Sequence, residues 1–133
     1  MPELIYALIC ADLIIDKDSN STSFIRTIEH AVVPELPATL PPIYFGSLWN
    51  LEEAGEEPFT VSLNMIPPQG ESITLGLQEI TPSGTMLHKM NFQLPGLQVK
   101  EEGKHELTVG LRNGEGWEIM ARLPLYVFRN VKQ

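Results

Sequence analysis

Apolar and polar positions alternate most regularly across residues 103–127. Leu107, Val109 and Leu111 precede Asn113-Gly114, and Trp117, Ile119, Ala121, Leu123, Leu125 and Val127 follow it. Period-2 alternation predicts two strands, each with one buried and one wet face. Asn113 and Gly114 accept positive φ at low cost, which makes the stretch a closing β-hairpin. A simple two-residue loop there would pair Arg112 with Glu115, and so set Leu111 against Gly116 and Val109 against Glu118. Directly opposed residues share a face, so that register mixes apolar with charged side chains. One extra residue, in a bulge at Gly114 or Gly116, would pair Leu111 with Trp117, Val109 with Ile119 and Leu107 with Ala121 instead.

Residues 4–15 are apolar on both faces except at Asp12. Such a run reads as a strand covered on both sides, or as one that crosses between sheets near Ala11-Asp12. A helix competes, since Leu4, Leu8, Ala11 and Ile15 also fall at helical spacing, but the β-rich remainder favours the strand. A polar turn over residues 16–21 leads into a further strand over 23–33, carrying Phe24, Ile25, Ile28, Ala31, Val32 and Val33. Four prolines in residues 34–42 forbid a central strand or a helix interior. They predict a stiff connector over one end of the fold, with Leu36 and Leu40 as plugs. A proline-rich ligand for an aromatic groove is the sharper, less favoured reading.

Residues 43–51 are aromatic-rich and read as a core strand. Phe59, Val61, Leu63 and Met65 face inward on the next strand, with Thr60, Ser62 and Asn64 outward. Ile73, Leu75 and Leu77 mark another, and Met86, His88, Met90, Phe92 and Leu94 share one face of a third. Turn signals every roughly 8–12 residues then predict a single all-β domain over residues 1–133. Its expected form is an antiparallel β-sandwich of about eight strands, immunoglobulin-like. The chain shows no period of the length that marks propellers or solenoids.

Composition narrows the function classes. Apolar content of 43% and charged content of 20% are globular values. Acids outnumber bases 17 to 9, a net charge of −8. That balance disfavours nucleic acid and anionic membrane surfaces as partners. The lone Cys10 excludes an internal disulfide and any zinc site of several thiolates, and its apolar surroundings predict a small buried hydrophobe. Glu3 stands where a signal peptide would carry basic residues, and Asp12 breaks the following apolar run short of the roughly 20 residues that span a bilayer. Asn20-Ser21-Thr22 fits the glycan-acceptor triplet, but without export, which is not expected, it is only a polar turn. The expected location is the cytoplasm.

Candidate chemistry is sparse. Residues 16–20 start like a calcium loop, but Ser21 stands at the sixth place, where glycine belongs, and Thr27 at the twelfth, where a bidentate Glu belongs. Asp12, Asp16 and Asp18 could still form an acidic end-loop cluster for a cation. The Glu52-Glu53 and Glu56-Glu57 pairs read as a solvated loop rather than a catalytic carboxylate pair. His30, His88 and His105 are too dispersed for a local metal motif; His88 reads as a satisfied strand-edge residue and His105 as exposed. No nucleophile elbow, phosphate loop or Cys-x-x-Cys occurs, so no cofactor and no enzymatic activity are expected. The face opposite Trp117, Ile119 and Leu123 is more informative. It carries Met120, Pro124, Tyr126 and Phe128 with Arg122 among them, too apolar for a fully wet face. Another part of the chain, or a second chain, should cover it, and Pro124 predicts an edge or a bulge there.

Three stretches together carry a resemblance. Residues 7–12 (ALICAD), the proline crossover LPATLP at 36–41 followed by Trp49, and the hairpin with Leu123-Pro124-Leu125 resemble an uncharacterised bacterial family of small single-domain proteins, known as a domain of unknown function. Ala11 separates Cys10 from Asp12 here, and His105 stands where that family carries an aromatic. The resemblance implies a β-sandwich and brings no activity or cofactor. The sequence therefore points first to a non-enzymatic module for protein–protein contact, as a homo-oligomer or with an unknown protein partner. Its interaction surface would be Met120, Arg122, Tyr126 and Phe128. Small-molecule, carbohydrate or calcium binding through the acidic end loops is the alternative.

Overall fold

In the computed structural model, which describes residues 1–114 and 116–130, the alternating runs fold into eleven strands and, among these residues, no helix. The long apolar run forms β1 (Glu3–Ile15), and the next stretch splits into β2 (Thr22–Thr27) and β3 (His30–Val33). The proline segment contains β4 (Ala38–Thr39) and a cis Leu36-Pro37 bond, and the aromatic strand is β5 (Ile43–Asn50). There follow β6 (Phe59–Ile66), β7 (Ile73–Ile80), β8 (Leu87–Leu94) and β9 (Gln98–Val99). The closing hairpin is β10 (Gly103–Asn113) with β11 (Gly116–Arg129).

One sheet has the order β2-β1-β5-β8 and a second β3-β11-β10-β6-β7; β4 and β9 form a small third sheet. All pairings are antiparallel except β3 with β11, which is parallel. The chain changes sheet at Ile28-Glu29, between β2 and β3, and not at Ala11-Asp12, the crossing point that the apolar run of β1 suggests. Pairing of β1 with β2 holds register through Asp12, and the irregularity in β1 lies at Leu4/Tyr6 instead. The proline segment then returns the chain from β3 to β5, with Leu40 buried and Leu36 packed on the core. Its ring-fixed φ and missing N–H groups suit a connector that needs few ladder bonds.

Inward residues of both larger sheets merge in one core. Trp49 on β5 and Phe59 on β6 meet across the sheets at 6.3 Å between ring centroids. Trp49 is fully buried and donates from Nε1 to Ser47 Oγ (3.2 Å), which itself donates to the Met90 carbonyl (2.8 Å). The indole N–H and the hydroxyl are both paired, as burial requires. Coverage differs from the expectation on two strands. The apolar β1 is only half-buried, with Ile5, Ile14 and Ile15 exposed, whereas the alternating β6 is buried on both faces at Thr60 and Ser62.

Candidate functional site

The register of the closing hairpin decides what its surface offers. Asn113 pairs with Gly116 and Arg112 with Trp117, and Gly114 at the tip has a φ of 86°. Glu115 itself lies outside the described residues, and with it the pairing to Arg112. The expected pairs of Leu111 with Trp117, Val109 with Ile119 and Leu107 with Ala121 do not form. Leu111 opposes Glu118, Val109 opposes Ala121 and Leu107 opposes Leu123. The extra residue exists, but it is Met120, well down the strand from both glycines. Because faces alternate every residue, one bulged residue exchanges them. Ala121, Leu123, Leu125 and Val127 keep the inner face, while Trp117 and Ile119 move to the outer one. Trp117 is accordingly 49% exposed, and Met120 is half-buried against the core.

A second bulge mirrors it. Leu63 pairs with Gly76 and Asn64 with Thr74, leaving Leu75 extra on β7. Two bulges flanking the central pair β10 and β6 bend the outer strands and raise the local twist. Between them lies a groove of 460 Å³ on the outer face. Two cross-strand rows contribute to its floor and walls: Ile119, Gly110, Ser62 and Leu77 in one, Thr108, Asn64 and Thr74 in the next. Gly110 has a packing role, because a Cβ there would lie 2.6 Å from Ser62 Oγ and 3.3 Å from Trp117 Cε3. The missing side chain lets the indole settle over β10, where the Arg112 guanidinium sits 5.1 Å from the ring centroid. Ser62 and Thr108 are each only 4% exposed although they face outward. Neither hydroxyl is among the described side-chain atoms that are buried without a partner, which are Thr22 Oγ1 and His88 Nε2. Period-2 alternation puts Ser62 on the correct face but carries no sign of the curl that covers it.

The residues expected to form an interaction face lie toward the other end of β11. Tyr126 and Phe128 point outward and stack at 6.5 Å with an 8° interplanar angle. The parallel register sets His30 beside Tyr126 and Val32 beside Phe128. Phe128 is 50% and Val32 59% exposed, so no other part of the described chain covers the strip. Arg122 lies further along the same face and pairs with Glu106 at 2.5 Å. Such an exposed pair contributes about 0–1 kcal/mol. Pro124 pairs with β10 on one side only, since β3 begins opposite Tyr126; its missing N–H therefore leaves no gap in a ladder. Met120 does not belong to this face, because the bulge turns it toward the core.

The acidic residues do not converge. Asp16 accepts from the Asp18 amide (3.0 Å) and from Ser19 Oγ (2.9 Å), and these bonds lower its pKa, the amide first. They close a turn rather than a cation cage. Among the described residues no three His, Cys, Asp or Glu side chains are placed to hold a metal, Asp12, Asp16 and Asp18 included. The loops 16–20 and 52–57 sit at opposite ends of the four-stranded sheet, because Glu3 at the start of β1 pairs with Asn50 at the end of β5. They cannot form one site.

Two histidines differ from expectation. His105 is 1% exposed, sharing the inner face with Leu107 and Val109, and its Nδ1 lies 3.3 Å from the Gly103 carbonyl. His88 is half-buried beside an open depression of 860 Å³ bounded by the 15–21 turn and residues 83–91. Its Nε2 is buried without a partner among the described residues, and burial lowers its pKa. Cys10 is buried as expected and donates to the Asp12 carbonyl at 3.1 Å.

No protein-family model matches the chain, and no curated protein matches it. Among solved structures it is similar to a β-glucosidase from Listeria innocua in complex with glucose, at 9% identity over 98% of this chain and 16% of that one, with a TM-score of 0.54. A β-glucosidase from Listeria innocua in complex with gluconolactone aligns at 8% identity over 94% of this chain and 16% of that one, with a TM-score of 0.49. The chain thus spans 16% of the length of these enzymes. The first likeness speaks for an all-β fold and nothing further. Among the described residues no helix is long and apolar enough to cross a membrane.

Proposed function

We propose that the chain is a non-enzymatic, immunoglobulin-like β-sandwich of the cytoplasm that acts by protein–protein contact, through pairing of two copies along β3 and the adjacent face of β11. The observation that carries this reading is the uncovered strip of His30, Val32, Tyr126 and Phe128. Two features favour a second copy as its occupant. The strip borders β3, an edge strand whose far side has no neighbour in the sheet among the described residues and offers free backbone groups. A twofold axis beside that edge would also set each strip next to its counterpart, the self-complementary arrangement of most homodimers. Light scattering on a sizing column tests it. A dimer is expected at about 100 µM, and Phe128→Asp should weaken pairing by at least about tenfold. A wild-type chain that stays monomeric at that concentration rejects the proposal.

A further inference from the structure

We infer that the groove on the outer face of the five-stranded sheet binds a neutral oligosaccharide, with Trp117 as the surface against which one sugar ring packs. Three observations converge on that ligand class. The floor presents Ser62, Thr108 and Asn64, uncharged groups that donate and accept together, as sugar hydroxyls do. Ser62 and Thr108 are more than nine-tenths buried and line the groove. A hydroxyl at the edge of a groove can both donate to and accept from a sugar hydroxyl, so these two suit such a ligand.

The second observation is the indole. Trp117 keeps half its surface exposed while Gly110 and Arg112 hold it in place. An aromatic ring fixed before binding loses little entropy, and the C–H face of a pyranose ring is the apolar surface it can cover. The third is charge. Glu118 is the one ionisable residue lining the groove among those described, and the chain carries −8 overall. A phosphate, a nucleic acid or an acidic polysaccharide would be repelled. The volume of 460 Å³ also falls in the range of small-ligand sites.

Trp49 is fully buried, so ligand-induced changes in tryptophan emission report Trp117. The intact chain is titrated with cellohexaose, xylohexaose, maltohexaose and chitohexaose, and with heparin as the anionic probe, up to about 10 mM. At least one neutral glycan should shift the emission to the blue and show a measurable Kd. Trp117→Ala, followed by calorimetry, should weaken that Kd at least tenfold without lowering the thermal midpoint, and Thr108→Val should weaken it severalfold. Silence of all four neutral glycans overturns the inference, as does binding of heparin alone or full affinity in Trp117→Ala. Eleven residues of β11, roughly 35 Å, separate Trp117 from Phe128. Phe128→Asp should therefore leave glycan binding intact, which keeps the outcome independent of dimerisation.

Discussion

Cys10 is the only thiol in the chain, it lies in an apolar run, and the fold buries it completely. Burial raises its pKa, outweighing the hydrogen bonds that lower it, so thiolate is scarce near neutral pH. A disulfide reagent should leave the native chain unmodified for hours and titrate one thiol per chain after denaturation; rapid native reaction would contradict this. The histidines are harder to read from their neighbours. His105 shares its parity with Leu107, Val109 and Leu111, and that spacing places it inside, yet the charges on Lys104 and Glu106 suggest exposure. Those neighbours occupy the opposite face, where Lys104 lies 4.0 Å from Glu106. Parity is the better guide.

At the scale of elements, the alternating pattern locates the strands but not the joint within the last one. From Trp117 to Val127 every odd position is apolar, and nothing in the spelling marks a change of face at Met120. The bulge is decided by β10 and β6. With Asn113 paired to Gly116, an unbroken ladder would set Val109, Leu107 and His105 against Met120, Arg122 and Pro124, and would turn Leu123, Leu125 and Val127 outward. One extra residue restores those three to the core, while Trp117 and Ile119, nearer the hairpin tip, oppose Arg112 and Gly110 and face outward with or without it. Inserting one alanine between Leu123 and Pro124 should therefore destabilise the chain by at least about 2 kcal/mol, because a one-residue slip turns Leu125 and Val127 out of the core. Deleting Met120, by contrast, removes only the extra residue and keeps the pairs on either side of it. The check is a lower urea midpoint for the insertion at constant m-value; an unchanged midpoint would mean that the register beyond Met120 does not hold Leu125 and Val127 in the core. The groove is illegible in the sequence for the same reason. Its wall depends on that joint, and its floor on the curl that covers Ser62.

For the whole molecule, strand content, the proline connector and the closing hairpin are legible in the sequence, whereas the pairing of distant strands is not. Residues 23–33 read as one strand because apolar residues continue through Ile28, but the chain breaks there and delivers its halves to different sheets. That choice is made by β11, which accepts β3 in parallel, a partner about a hundred residues away in sequence. Stability of the assembled fold should depend on pH through His88. Burial lowers its pKa, so the unfolded chain takes up a proton at a pH where folded His88 does not. This contribution is present above the ordinary histidine pKa and is lost as pH falls through it toward the folded value. The thermal midpoint should drop between about pH 7 and pH 5, and drop less in His88→Gln; equal slopes in both proteins would remove His88 as the cause.

The acidic loops at opposite ends of the four-stranded sheet bear on the shape of any assembly. Asp16 and Asp18 mark one pole and Glu52, Glu53, Glu56 and Glu57 the other, all exposed. Stacking copies pole to pole would bring like charges together, which opposes growth into open filaments. Sideways contact along the sheets keeps the poles apart, so the distribution of charge favours a closed pair over an endless chain.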